Sequence, residues 1–238
     1  MPAIAQTNFR VRRATSRDVG ELVNLHYQVF DASTHHLLLL GRPLMVKAYH
    51  WYCQSPNAFV LVAQNDQGIL GCTTVNQGSY YAFFYENWVH VARAFITKPQ
   101  LIFNPLLVRR LSVLLTHRRV ARQKLPCIRS AYLAYLGVNA STRGKGVGAA
   151  LIQATVETCG ARGWEQLVTC FHRDNAAAYP FYQALGFEPF PELDTDDLLG
   201  VRIITARFLQ ARRVGSVPPQ ADQTPACLPP GLSGDSRG

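Results

Sequence analysis

Residues 137–152 read GVNASTRGKGVGAALI. Gly144, Gly146 and Gly148 alternate there with Lys145 and Val147 behind Arg143, after the apolar run RSAYLAYLGV (129–138). A turn that only reverses the chain manages with one glycine, so a loop this bare implies that something approaches its peptide groups closely. The residues that follow have a helical face: Gly148, Leu151, Ile152, Thr155, Val156 and Cys159 fall at i, i+3, i+4, i+7, i+8 and i+11. The order is therefore strand, glycine loop, helix. Such a helix aims its first N–H groups and its positive dipole end at one point, which attracts phosphate, and Arg143 and Lys145 add mobile positive charge. The stretch is not a Walker loop, because Lys145 is followed by Gly146 and not by Ser or Thr. A plainer reading also stands: a helix start with a packing glycine at 148.

Outward from the loop, the same reasoning orders the rest of the chain. FRVRRAT (9–15) alternates as a first strand, and a helix capped at Thr15/Ser16 with Asp18 in its first turn carries Val19, Leu22, Val23 and Val29. Residues 35–52 hold a second helical piece broken around Gly41 and Pro43. FVLVAQN and ILGCTTVN form a hairpin about Asp66–Gly68. EQLVTCF (165–171) is a strand, Asn175–Leu185 a helix in which Pro180 is expected to cause a kink, and VRIITARFL (201–209) a closing strand. Residues 1–210 are read as one α/β domain with a basic helical insert at about 80–125. Residues 211–238, rich in Pro, Gly and Ser, are read as a disordered tail.

Composition narrows the class of protein. The 238 residues carry six cysteines with no CxxC and no regular spacing, so neither a zinc knuckle nor a disulfide framework is expected, and no metal. The N-terminus has no apolar segment followed by a small-residue cleavage site, and no run of about eighteen uncharged apolar residues occurs. A cytoplasmic protein is expected. The net charge of +9 is concentrated: between Glu86 and Glu157 there are eleven cations and no acidic residue, which leaves the remainder at 9 − 11 = −2. That excess points to a polyanionic partner, either a phosphorylated ligand or an anionic lipid surface. Nucleic acid is not expected, because no reading motif accompanies the charge.

A second motif joins the glycine loop. NAAAYPFYQALGF (175–187) places Asn175, Ala178, Phe181, Tyr182, Leu185, Gly186 and Phe187 after the next strand. Together the two resemble the GNAT superfamily of acetyl-CoA-dependent N-acyltransferases, which implies an α/β fold with a mixed sheet in three layers. Arg143, Gly146 and Gly148 meet its phosphate-binding pattern, and the later motif is met at each of its positions. The resemblance is specific from about Tyr132 to Phe187; it fails over residues 80–125, where the family is usually shorter.

The resemblance implies acetyl-CoA in a V-shaped opening between strands 130–138 and 165–171. It puts the pyrophosphate on the N–H groups of Arg143, Gly144, Lys145, Gly146, Val147, Gly148 and Ala149, and the Val138 N–H on the thioester carbonyl. Asn175 would bond the pantetheine arm, and Tyr182 would protonate the departing thiolate. For Tyr182 a core aromatic beside Phe181 is the alternative. A Glu that serves as base in the branch resembling ribosomal-protein alanine acetyltransferases is replaced here by Cys170. His172 is then the nearest candidate base, with Tyr132 or Tyr135 able to carry a water; a loop or capping histidine is its other reading.

The function implied is transfer of an acetyl group from acetyl-CoA to a primary amine of a small molecule, an anionic one included, in a ternary complex. An amino sugar or α-amine is favoured over a protein lysine. The rivals are a non-catalytic CoA-binding module and a peripheral membrane protein that uses the basic insert. That insert reads as a helix packed over the acceptor side, as an acceptor site for an anionic substrate, or as an attachment to an anionic membrane.

Overall fold

The computed structural model describes residues 8–31, 35–77, 82–104, 107–108, 130–172, 174–189, 195–197 and 200–208. Side chains are not described at 36, 172, 195–197 and 200–208. The basic run at 109–124 and the tail at 211–238 lie outside the described residues.

Strand β1 (Arg10–Arg13) leads through a 3-10 turn into helix α1 (Val19–Val29). Thr15 caps this start as a capping box: its hydroxyl accepts from the Arg17 N–H, and Asp18 accepts from the Thr15 N–H at 2.7 Å. Arg12 clamps the same carboxylate with two hydrogen bonds at 2.7 and 2.9 Å, which lowers the Asp18 pKa to about 2. The helical piece after it is broken where the glycine stands. Helix α2 (His36–Leu40) ends at Gly41, whose φ of 97° only glycine adopts readily, and α3 (Arg42–Gln54) starts with Pro43 in its first turn.

Strands β2 (Ala58–Asn65) and β3 (Gly68–Gln77) form the hairpin, with a bulge between Ala63 and Gln64. The insert begins with α4 (Ala82–Glu86), α5 (Trp88–Thr97) and a 3-10 turn (Pro99–Phe103), so its described part is helical. Strand β4 (Ser130–Val138), helix α6 (Val147–Ala161), strand β5 (Gln166–His172) and helix α7 (Ala178–Ala184) follow. Short strands β6 (Glu188–Pro189) and β7 (Thr195–Asp197), which the sequence pattern does not announce, flank β8 (Gly200–Phe208).

The eight strands make one sheet in the order β1-β2-β3-β4-β5-β8-β6, with β7 paired to β8. All neighbours are antiparallel except β4 and β5. Helices α1, α2, α3 and α5 cover one face over a core of Leu22, Val23, Met45, Tyr49, Val60 and Tyr135. Helices α6 and α7 cover the other, over Phe59, Leu133, Leu151, Ile152, Leu167 and Tyr182. The architecture is three-layered, as the resemblance implies.

One local expectation is corrected. Helix α7 starts at Ala178, not at Asn175, so Pro180 lies in the first turn, where a backbone N–H has no intrahelical partner to lose. No hydrogen bond is sacrificed, and the reason for a kink disappears.

Candidate active site

The parallel pairing of β4 with β5 runs only from Ser130↔Gln166 to Leu133↔Thr169, although β4 continues to Val138 and β5 to His172. The two strands part at that point. On its other edge β4 pairs Thr74 with Tyr135 and Val75 with Leu133, which leaves Ala134 as an extra, bulged residue where the separation begins. The bulge also shifts the alternation of side chains. Ala131 and Leu133 face α6; beyond Ala134, Tyr135 faces α1 and α3 while Leu136 and Val138 face α6. The Thr169 hydroxyl donates to the Leu133 carbonyl at 3.2 Å, a bond from β5 to β4 at their last paired position.

The free half of β4 presents backbone donors. Asn139 N–H bonds the Leu70 carbonyl at 2.8 Å and the pairs run Gly71↔Val138, Cys72↔Gly137, Thr73↔Leu136. In an antiparallel ladder hydrogen-bonded pairs alternate, so Gly137 and Tyr135 bond to β3, whereas Leu136 and Val138 turn their N–H groups away from it, into the gap before β5. Val138 is the donor anticipated from sequence; Leu136 was missed, and the two-residue period of the strand was the signal for it.

The glycine loop closes the end of this gap. Asn139 starts a 3-10 turn by accepting the Ser141 N–H at 3.2 Å, and the Arg143 Nε donates to the Val138 carbonyl at 3.3 Å. Gly144 and Gly146 have φ of 75° and 82°, and a Cβ on either would meet nothing within 4 Å. Their use is thus conformational freedom beside open space. Gly148 differs: a Cβ there would lie 3.4 Å from the Phe181 ring, so this glycine packs α6 against α7. Val147, Gly148 and Ala149 supply the first N–H groups of α6, which have no carbonyl within the helix to bond. Val147 is buried and anchors the helix start; Arg143 and Lys145 are exposed. Thr155 fixes the helix to the sheet through the Thr73 hydroxyl at 3.1 Å.

Tyr182 lies on the α6 side of the fork, 7 % exposed, with its ring among Phe171, Phe181 and Phe187 at centroid distances of 5.7, 5.2 and 5.1 Å. Burial pushes its pKa up to about 12, against the opposing hydrogen bond with Thr169, so the phenol holds its proton at neutral pH. On the opposite face Tyr132 Oη and Cys170 Sγ are 2.8 Å apart, just below the point of separation. His172 ends β5, its backbone paired with Arg202. Asn175 is exposed, and its carbonyl accepts the Ala178 N–H at the entry to α7.

A further group of side chains escaped the sequence reading. His26, fully buried, bonds Tyr49 Oη through Nδ1 at 2.8 Å and approaches His35 Nδ1 through Nε2 at 3.4 Å. Both rings pack on Tyr135, at 5.1 and 4.8 Å, with Phe30 beside them. This group covers the freed half of β4 on the α1 side, where Phe30 also abuts Gly137. Burial, and then the neighbouring His35, lower the His26 pKa to about 2; it is neutral and cannot serve as a base near pH 7.

A sheet opened between two parallel strands, with unpaired N–H groups along one arm and a glycine-led helix start at its end, defines an acyl-CoA-dependent transferase fold. Residues 121–187 match the model of the acetyltransferase (GNAT) family. Over this segment, less than a third of the chain, it is similar to the acetyl-CoA-dependent N-acetyltransferases of that family. Solved structures with this fold include the GNAT domain of S. lividans PAT (16 % identity, TM-score 0.55, covering 84 % of this chain and 90 % of that one). An N-acetyltransferase from Staphylococcus aureus aligns at 14 % identity and TM-score 0.54, over 86 % of this chain and 100 % of its own. The ribosomal-protein alanine N-acetyltransferase from Escherichia coli aligns at 13 % and 0.52, over 88 % and 100 %. No curated protein sequence matches. Among the described residues no group of His, Cys, Asp and Glu could hold a metal, and no helix is long and apolar enough to cross a membrane.

Proposed function

We propose that the protein acetylates the primary amine of a small molecule, with an amino sugar or an α-amine as acceptor, by direct attack in a ternary complex. The observation that carries this reading is the parting of β4 from β5 beyond Leu133 and Thr169, with the Leu136 and Val138 N–H groups facing the gap. The Arg143 and Lys145 N–H groups donate to the Ala140 and Thr142 carbonyls at 3.4 Å, so in this reading the N–H groups of Gly144, Gly146, Val147, Gly148 and Ala149, with the Arg143 and Lys145 side chains, hold the pyrophosphate, and exposed Asn175 bonds the pantetheine arm. The Val138 N–H, with Leu136 beside it, receives the thioester oxygen as it gains negative charge, and stabilises the transition state more than the ground state.

Helices α6 and α7 fill one face of the opened sheet, so the amine enters from the α1 face, past Phe30, His35 and Tyr135. The nitrogen attacks the carbonyl carbon, the C–N bond forms and the C–S bond breaks. Tyr182 supplies the proton that the departing sulfur takes up. The strands that line the gap, 130–138 and 166–172, contain no carboxylate. At pH 7 a lysine amine of pKa about 10.4 is disfavoured in its reactive form by about 4.6 kcal/mol, an α-amine near 8 by about 1.4. Lining strands without a carboxylate base suit the second. His172 at the end of β5 and His35 on the acceptor face are the two candidate bases.

The test is acetyl transfer across a panel of nucleotide-linked amino sugars, α-amino acids, polyamines and peptides, repeated with Tyr182→Phe. That variant is expected to lower kcat by about a hundred- to ten-thousand-fold while the acetyl-CoA Kd stays within a few-fold. An unchanged kcat returns Tyr182 to the core. Single His172→Gln and His35→Gln variants then identify the base, as the one that abolishes the acidic limb of the pH–rate profile.

A further inference from the structure

Among the described residues, every large apolar side chain that is strongly exposed lies between positions 88 and 108, apart from Tyr27. Helix α5 turns Val91, Ala94 and Phe95 onto the core of the α1 face, and Leu101 and Leu107 are buried after it. Its outward side carries Trp88 at 67 % exposure, Val89 at 57 % and Ile96 at 79 %, and the chain beyond adds Ile102, Phe103 at 86 % and Val108. A surface helix of a self-sufficient domain turns charged residues outward; this one turns out tryptophan, isoleucine and, one turn on, phenylalanine. A contiguous apolar patch of this kind marks a surface that meets something else.

The charge around the patch indicates what it meets. Arg93 is exposed on the same side of α5. Directly after Val108 the sequence runs through Arg109, Arg110, Arg118, Arg119, Arg122 and Lys124, and no acidic residue occurs from position 87 to 156. Glu86, at the near edge, is engaged by the Trp51 indole N–H at 2.5 Å. Apolar side chains of this size beside cations of one sign match an interface in which hydrocarbon lies beneath a layer of negative charge. A second copy of the chain fits poorly, since it would set two such basic segments against each other.

We propose that the outward side of α5 (Trp88–Thr97) and the turn after it (Pro99–Phe103) dock the protein on the surface of an anionic phospholipid bilayer, with Trp88, Ile96, Ile102 and Phe103 entering the headgroup boundary and Arg93 at the phosphates. The proposal rests on this surface alone and stands whatever amine the active site takes.

Flotation of the full chain with vesicles of phosphatidylcholine, and of phosphatidylcholine mixed with phosphatidylglycerol, tests it. Binding is expected to the mixed vesicles, at least tenfold weaker to the neutral ones, and lost at about 0.5 M salt. A Trp88→Ser, Ile96→Ser, Phe103→Ser variant is expected to bind at least tenfold less while its acetyl-CoA Kd is unchanged, and Phe103→Ser alone serves if the triple variant fails to fold. Arg109→Gln with Arg110→Gln is expected to weaken binding roughly fivefold per charge removed. Equal binding to both vesicles, or none to either, overturns the proposal. So does a concentration-dependent dimer in light scattering that the apolar substitutions dissolve, which would assign the patch to a second copy.

Discussion

His26 makes the fold sensitive to mild acid. In the unfolded chain its imidazole takes up a proton near pH 6.5; in the fold, burial and then His35 hold the pKa at about 2. The folded pKa is depressed, so the contribution to stability is complete above pH 6.5 and is lost as the pH falls towards 2, because only the unfolded state binds the proton. Each unit below 6.5 removes about 1.4 kcal/mol, and from pH 7.5 to 5.0 the loss comes to about 2 kcal/mol. For a chain of this size that is roughly 4 to 8 °C in Tm. Asp18, whose pKa falls from 3.8 to about 2, acts only below this window. Urea midpoints measured every half unit from pH 7.5 to 5.0 read the slope, with His26→Gln as the comparison. The variant is less stable throughout, since the Tyr49 bond and the packing on Tyr135 are disturbed, but its profile should be nearly flat. A wild-type midpoint that does not move, or a variant that loses as much as the wild type, would refute the assignment.

Gly146→Ala and Gly186→Ala make a matched pair, because both glycines have φ near 80° and neither Cβ would meet anything within 4 Å. Both should lower Tm by a similar few degrees, but only Gly146→Ala should weaken acetyl-CoA binding in calorimetry, and equal affinities would remove the glycine loop from the phosphate site. Gly71→Ala should destabilise by about 1 to 3 kcal/mol in urea unfolding, since its Cβ would lie 2.9 Å from the Gly137 carbonyl oxygen and 3.2 Å from Leu151. Cys72 and Cys159 are buried thiols with pKa raised to about 12 by that burial, and they should stay unlabelled by iodoacetamide at pH 8 until denaturant is added, as mass mapping of the alkylated peptides would show.

The elements with strong local signals were legible in the sequence. The helix cap at Thr15 with Asp18 in the turn after it, the break at Gly41, the hairpin and the stripe on α6 all appear where the pattern puts them, because each is set by residues within one or two turns of one another. His26 could have been found, since it stands at i+7 from Val19 and i+4 from Leu22 on the buried face of α1, where a histidine must find a partner. Its partners Tyr49 and His35 come from other elements, which no spacing reveals. Pro180 was misjudged because the boundary of α7 depends on the turn at Asn175, and a difference of three residues moves a proline from a helix interior to its first turn.

The bulge at Ala134 left no mark on the sequence either, since SAYLAYLGV alternates equally well with or without it, yet the site depends on it. Without the extra residue the strand would carry its ladder forward unchanged and Tyr135 would face α6; with it, the strand bends away from β5 and the Leu136 and Val138 N–H groups meet the gap. This arrangement predicts an alternating pattern in amide hydrogen exchange. Tyr135 and Gly137, bonded to Thr74 and Cys72 on β3, should exchange slowly in the free protein, and Leu136 and Val138 faster by about ten- to a hundredfold, the ratio expected where a ladder bond worth about 1.4 to 2.7 kcal/mol of local protection is missing. Saturating acetyl-CoA should slow Leu136 and Val138 and leave the other two where they were. Residue-resolved NMR exchange measures all four in one experiment. Four equally protected amides in the free protein would mean that β4 is paired on both edges to its end, and a pattern that acetyl-CoA does not alter would mean that the gap is not where the thioester arm lies.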